Sequence, residues 1–537
     1  MFNYAAHGLI ESATKLDLPG GRPHTIGAVL ERQLQRDAHK LALVGRSARY
    51  SYAELDAEVA KAAGLFFARG IRRYDRIAAC LPNDVDIIVA FLACARLGAI
   101  WVGVNRPLAA PEKAFILEDS GACLYLTDTA GIAEIDALRG QLPALRSVLC
   151  IDADAGAEWR ALLDASVADS VPPIFVDPFE PAAIAYTSGT TGRPKGAVHS
   201  HHNVLLPGAI KAQERYFGPD CVQGVMLPLT ILNLMVLAPM VAFQDGSCCV
   251  CMDSVKPEEI ARWVREERIG HFASVPTVVQ DLLTSERVDA TDLATLGHPE
   301  IGGAGIAQAF QQLYAERFGR RMTVAYGMTE APTIVTRTSG ECELQEELCG
   351  YAVEQVEILI VDEDDHVLPP DSIGQICVAP ATSGPYARVY TTMLGYWNRP
   401  EATAAALRNS RYHTGDIGFL DTRGQLFIRG RQNDLIIRGG ANVYPVEVER
   451  VLGAHPAVAA VAVLGIADER LGQRVAAVIE LSEAATVVPA GELLQSLQAH
   501  CAMQLARYKV PEQIRFVDSL PRNAMNKIIK PQLQRLF

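Results

Sequence analysis

The chain has 537 residues, 49% of them hydrophobic and 21% charged, with a formal net charge of −13. That length builds one multi-part enzyme or two to four domains around a large core. The acidic balance excludes a nucleic-acid binder, which needs an excess of Lys and Arg, but leaves room for a local basic pocket that takes a small anion.

The opening "MFNYAAHGLIESATKLDLPG" has no basic leader followed by an apolar core, so no secretory signal is expected. The 12 cysteines then point to reduced thiols in a cytoplasmic protein. Between 41 and 180, "RIAACLP", "DVDIIVAFLACARLG", "AIWVGVN" and "CLYLTD" alternate strand-like and helix-like runs. That rhythm predicts βαβ units and a parallel sheet. The most apolar stretch, 86–104, is broken by Arg96 and Gly98. It reads as a buried helix followed by a buried strand, since a membrane span needs about 20 uninterrupted apolar residues.

The same rhythm returns over 221–330 in "VQGVMLPL", "GSCCVCM", "GHFASVP" and "RMTVAYG". Cys248, Cys249 and Cys251 lack a second pair, so a buried strand is expected there rather than a zinc or redox site. His199, His201 and His202 in "HSHH" lack the HExxH spacing of a metal helix. Over 350–430 the short runs "VEILIVD", "GQICVAP" and "GQLFIRG" predict a small antiparallel sheet or barrel. After "GRQND" a different unit begins: "VEVERVLGAHP" as helix, "VAAVAVLGI" and "RVAAVIEL" as strands, a helix over 490–505, and "IRFVDSL" as the last strand. Leu494, Leu497, Cys501 and Leu505 form the apolar stripe of that helix. The expected domains are 1–432 and 433–537, and the expected class is α/β.

The stretch "YTSGTTGRPKG", 186–196, carries three glycines, four hydroxyl side chains and a lysine. It is not a Walker loop, because Lys195 lies between Pro194 and Gly196 and so falls on a turn or hairpin-like loop rather than a helix start. Gly189, Gly192 and Gly196 allow backbone N–H groups close to a polyanion, and Thr187, Ser188, Thr190 and Thr191 add hydroxyl donors.

This loop resembles the signature of the adenylate-forming superfamily, which holds acyl- and aryl-CoA ligases, luciferases and peptide-synthetase adenylation domains. "YGMTE" (326–330), "YHTGD" (412–416), "GRQNDLIIRGGANVYPVEVE" (430–449) and "LPRNAMNK" (520–527) follow in the family's order, so the resemblance runs from the loop to the C-terminus. It implies a large N-terminal domain of two layered βαβ-type sheets plus a small β-barrel, followed by a small mobile α+β domain. It also implies ATP, Mg²⁺ and CoA as cofactors. Thr187, Ser188, Gly189, Thr190, Thr191, Gly192 and Lys195 would meet the β- and γ-phosphates. Glu330 would hold Mg²⁺, with Thr187 as a further metal ligand, and Thr329 would bond the α-phosphate. Tyr326 and Gly327 would lie against adenine, with the backbone of Gly303, Ala304 and Gly305. Asp416 would accept the ribose hydroxyls, helped by Arg431. Lys527 would bridge the attacking carboxylate and the α-phosphate. Arg438, Gly439 and Gly440 would flank the thiol's tunnel, and Arg507 and Lys509 would meet CoA phosphates.

The chain departs from the family pattern at three places. Asn526 precedes the lysine where the family has Gly, with Lys530 as the fallback lysine; Asn433 stands at the hinge position usually held by Asp or Lys; and Thr230 and Ile231 replace an aromatic–His pair. Ile231, Leu232, Leu234 and Met235 would form an apolar wall, which favours a hydrophobic aromatic, alicyclic or medium-chain acid over a dicarboxylate. The expected activity is an AMP-forming acid–CoA ligase acting on a small carboxylic acid, with no nucleic acid, no membrane span, and a homodimer admitted. An enzyme that loads a separate carrier protein, a non-catalytic nucleotide-binding regulator and a luciferase are the alternatives. The chain ends ten residues after Lys527, so a fused carrier domain is not expected.

Overall fold

The structure is a computed structural model that describes residues 2–151, 157–167, 171–187, 194–218, 220–302, 308–338, 345, 347–438, 441–485, 488–522 and 528–537. The chain divides into two compact units. The first comprises Met1–Leu359 and Cys377–His413, the second Ile360–Ile376 and Thr414–Phe537.

The first unit contains two sheets built on the predicted βαβ rhythm. Helix Val85–Arg96 is almost wholly buried and is capped by the Asp84 side chain, which accepts from the Val85 N–H at 2.8 Å. It leads into strand Ile100–Gly103, as the run 86–104 predicts. Strand β1 (Pro181–Thr187) and strand β2 (Lys195–Ser200) join the same sheet. Its order is Gly395–Tyr396, β2, β1, Ile100–Gly103, Arg76–Cys80, Leu124–Thr127, Ser147–Cys150. The pairings among the four earlier strands, and of β1 with them, are parallel, but β1 and β2 form an antiparallel hairpin.

Helix α1 (His201–Glu214) follows directly, started by Ser200, whose hydroxyl accepts from the Asn203 N–H at 3.2 Å. A short helix α2 (Leu232–Met235) runs on into a π-turn over Val236–Met240. In the second sheet, strand β3 (Thr323–Met328) turns back antiparallel into strand β4 (Ala331–Arg337). Within this unit the strand order is Leu348–Ala352, β4, β3, His298–Gly302, Ile269–Ser274, Val222–Val225, Cys249–Cys251, Leu41–Val44, Arg49–Ser51. Cys248, Cys249 and Cys251 lie buried on and beside a central strand, as expected. Burial raises the Cys248 thiol to about 12 and the Cys249 thiol well above the ordinary range, so neither is a ready thiolate.

Gly103 shows how closely these sheets approach the α2 loop. A Cβ there would lie 1.9 Å from the Thr230 carbonyl oxygen, so only glycine fits.

In the second unit, strand β5 (Arg411–Leu420), which begins three residues before it, pairs antiparallel with strand β6 (Gln425–Arg431), with Asp416 opposite Arg431. A five-stranded sheet follows in the order Ala441–Val443, Ile436–Arg438, Gly472–Leu481, Val458–Asp468, with Gln513–Val517 parallel on Gly472–Leu481. Helix Ala490–Gln504 packs on it. Leu497, Cys501 and Leu505 are buried in this core with Leu494 packed against it, the expected stripe, while Leu493 is buried in a separate cluster with Ala457 and Ala485. Among the described residues no helix is long and apolar enough to cross a membrane.

Candidate active site

The hairpin β1–β2 positions the ends of the predicted phosphate loop. Thr187 stands opposite Lys195, and its hydroxyl donates to the Lys195 carbonyl at 3.4 Å. Ser188, Gly189, Thr190, Thr191 and Gly192 lie outside the described residues, as do Gly303, Ala304 and Gly305. Lys195 opens β2, the hairpin setting that Pro194 predicts, and its ammonium lies 5.3 Å from the Tyr396 ring centre. Gly196 has a packing role the sequence reading missed: a Cβ there would come within 2.5 Å of Ile184 Cγ2 and 3.1 Å of the Tyr186 ring. Its missing side chain lets the hairpin close on itself.

The predicted nucleotide and metal residues sit where β3 turns into β4. Tyr326 faces Thr336, Gly327 faces Ile334, and register shifts on both sides of Gly327 break the regular pairing. Such bulges re-aim side chains at the edge of a site. Three side chains then grip the turn. Asn233 Nδ2 donates to the Met328 carbonyl at 3.0 Å, and His199 Nε2–H donates to the Thr329 carbonyl at 2.8 Å. The Tyr396 hydroxyl donates to Glu330 Oε1 at 2.9 Å. Burial lowers the His199 imidazole to about 4, so it is neutral and serves as a fixed N–H donor. Tyr396 packs with the buried Ala197, Met393 and Tyr412. Burial, and then the Glu330 charge, drive the Tyr412 hydroxyl well above its usual range, so it stays protonated.

The "HSHH" histidines are thus structural. His201 Nδ1 accepts from the Ile26 N–H at 3.4 Å, and His202 Nε2–H donates to the Val389 carbonyl at 2.8 Å. Tyr396 and Asn233 carried no sequence signal, because their partners stand far away in the chain. Of the predicted apolar wall, Leu232 and Met235 are buried, while Ile231 and Leu234 keep partial exposure. Thr230 bonds Asn105 Oδ1 at 2.8 Å.

In the second unit Asp416 and Arg431 meet as a pair, Nε to Oδ1 at 3.0 Å, with Asp416 8% and Arg431 52% exposed. The Asp416 N–H is fixed by the Thr414 hydroxyl at 3.0 Å, and that hydroxyl donates to the Ile376 carbonyl at 2.8 Å. One carboxylate is therefore held rigidly at the end of a hairpin while its partner reaches into solvent. Arg438 lies at the end of strand Ile436–Arg438 and bonds Glu512 at 3.0 Å. Gly439 and Gly440 lie outside the described residues, and so does Lys527. The flanks of Lys527 pair through Arg522 and Ile528. The fallback Lys530 is ion-paired with Glu449 at 2.8 Å, and Lys509 is held by both oxygens of Glu447 at 2.7 Å. Arg507 is exposed.

The whole chain also compares closely with known proteins. Residues 30–397 match the family described as AMP-binding enzyme, and 447–527 match the AMP-binding enzyme C-terminal domain. The chain belongs to the AMP-binding enzyme family. This AMP-binding enzyme is 31% identical to a long-chain-fatty-acid–CoA ligase of Mycobacterium tuberculosis, over 91% of the chain and 93% of that protein. It is 32% identical to a feruloyl-CoA synthase of Amycolatopsis sp., over 96% of the chain and 100% of that protein. ATP-bound MatB from Rhodopseudomonas palustris superimposes with a TM-score of 0.84 at 29% identity, covering 95% and 98% of the two chains. The AMP-binding enzyme is accordingly an ATP-dependent, adenylate-forming acid–CoA ligase.

Proposed function

We propose that this ligase activates a hydrophobic carboxylic acid in two steps. The carboxylate attacks the α-phosphorus of ATP and displaces pyrophosphate, giving an acyl-adenylate. The CoA thiol then loses its proton, attacks the acyl carbon and displaces AMP. Both steps bring anions together, so positioned cations and fixed donors are the means of lowering the barrier.

The observation that carries this reading is the cluster of Lys195, Tyr396 and Glu330, in which a lysine at the hairpin and an oriented carboxylate share one aromatic ring. Glu330 and the Thr187 hydroxyl are hard oxygen donors, the type that suits Mg²⁺, and the Tyr396 hydroxyl orients the Glu330 carboxylate through Oε1. They would hold Mg²⁺, which when bound neutralises phosphate charge. Lys195 and the loop 188–192 would bind the β- and γ-phosphates, and Thr329 the α-phosphate. Tyr326, Gly327 and residues 303–305 would hold adenine. Asp416 would accept the ribose hydroxyls with Arg431 beside it. Lys527 would bridge carboxylate and α-phosphate during adenylation. Asn433 would mark the joint between domains 1–432 and 433–537, and Arg438, Gly439 and Gly440 would flank the thiol. Lys509 and Lys530 are engaged by Glu447 and Glu449, and each would have to leave its ion pair to take up a ligand. A cytoplasmic setting fits the buried free thiols.

A panel of aromatic, alicyclic and aliphatic acids with ATP, Mg²⁺ and CoA tests the reading. AMP and thioester should form in equal amounts with hydrophobic acids. AMP formation with no thioester, or preference for short dicarboxylates, would contradict it.

A further inference from the structure

A small cleft of about 20 Å³, room for one water-sized group, lies in the first unit behind the β3–β4 hairpin. Two of its walls adjoin the candidate site. Leu237 stands one helical turn beyond Asn233, which holds the Met328 carbonyl, and Ile334 is the β4 residue opposite Gly327. The walls include apolar side chains of Ile210, Leu237 and Ile334, but the cleft also meets Lys211 of α1.

Lys211 is an anomaly in this setting. Only 7% of the residue is exposed, and its Nζ makes no hydrogen bond among the described residues. Its nearest compensation is aromatic: Nζ lies 4.7 Å from the Phe217 ring centre and 5.6 Å from that of Tyr216. Burial lowers its pKa, with the Glu300 charge opposing. A buried donor without an acceptor is costly, and one that faces a cleft beside a catalytic site points to a ligand.

The surrounding charges decide what kind of ligand. Arg337 pairs with Glu214 at 3.9 Å. Glu354 lines the same cleft, and Glu300 lies buried within electrostatic reach of Lys211. Two cations therefore already face three carboxyl groups, and burial raises the pKa of Glu214 and Glu300. A further carboxylate would be repelled, whereas a neutral oxygen adds no charge and supplies the missing acceptor.

We infer that the acid activated by this enzyme carries a neutral oxygen acceptor, such as a hydroxyl, keto or ether group, at the end remote from its carboxylate, and that Lys211 donates to it. The inference rests on the proposed acid–CoA ligase reading and specifies its substrate class. Lys211 is thus a specificity residue.

The test compares pairs of acids that share a skeleton and differ only in a distal oxygen, such as phenyl- against 4-hydroxyphenyl-terminated acids and plain against ω-hydroxy chains. Wild-type kcat/KM should favour the oxygenated member by roughly ten- to a hundredfold. Lys211→Met should abolish that preference, retain activity on the plain acid, and leave Tm unchanged or raised because a buried unpaired cation is gone. Equal wild-type use of both members, a preference that survives Lys211→Met, or equal loss on both acids would overturn the inference while leaving acid–CoA ligation intact. Failure of every acid to yield AMP would overturn both readings.

Discussion

Replacing Tyr396 by Phe removes one hydroxyl and keeps the ring against Ala197, Met393 and Tyr412. The lost group is the donor at 2.9 Å to Glu330 Oε1. A hydrogen bond to an ionised group is worth about 1.5–3 kcal/mol, and each 1.4 kcal/mol is a factor of ten. The Tyr396→Phe enzyme should therefore lose roughly ten- to a hundredfold in kcat/KM for acid-dependent pyrophosphate release. If the hydroxyl orients Glu330 toward the metal, the Mg²⁺ concentration for half-maximal rate should rise as well. Thermal stability should change little, because the packing volume is retained. The assay is pyrophosphate release across a Mg²⁺ titration, with Tm measured alongside. An unchanged Mg²⁺ dependence with a normal rate would refute Tyr396 as the positioning residue of Glu330. A fall in Tm that accounts for the lost activity would make the bond merely structural.

Asp416→Asn keeps the shape of the β5–β6 hairpin but removes the charge, and should raise KM for ATP at least roughly tenfold with little effect on Tm, since half-exposed Arg431 rehydrates; unchanged ATP kinetics would take Asp416 out of the site. Stability should also depend on acidity. Burial holds His199 and His201 at about 4 against an ordinary value of about 6.5, so the unfolded chain binds more protons between those values. Stability is then complete above about pH 6.5 and falls as pH drops toward 4. Tm measured between pH 7.5 and 5.5, above most carboxylate titration, should decline, and His201→Gln should flatten the decline; a slope identical in the variant would contradict the assignment.

The elements legible in the sequence were those whose hydrophobic period is local. Val85–Arg96, Cys249–Cys251 and Ala490–Gln504 all follow from runs of apolar residues at helix or strand spacing. Strand direction is not written in that period, so the antiparallel return β3–β4 beside parallel strands was not foreseen, whereas the hairpin at Lys195 could be read from Pro194. The period of the last long helix showed its main apolar face, Leu494, Leu497, Cys501 and Leu505, but not the second cluster in which Leu493 is buried with Ala457 and Ala485. At the site, the motif residues could be read because loop, turn and hairpin each carry their chemistry in a few adjacent positions. Tyr396 and Glu330 are 66 residues apart, and no local pattern joins them. Lys509 and Lys530 looked like available cations until the structure paired them with Glu447 and Glu449.

The central claim is that the ligase uses Lys527 for adenylation and other groups for thiol transfer. The most direct measurement follows the two half-reactions separately in Lys527→Ala, with Lys530→Ala as the control. Lys527→Ala should lose roughly a hundred- to a thousandfold in acid-dependent pyrophosphate release while converting supplied acyl-adenylate and CoA to thioester near the wild-type rate, and Lys530→Ala should adenylate normally. Equal loss of both half-reactions in Lys527→Ala, or loss of adenylation in Lys530→Ala alone, would contradict the account.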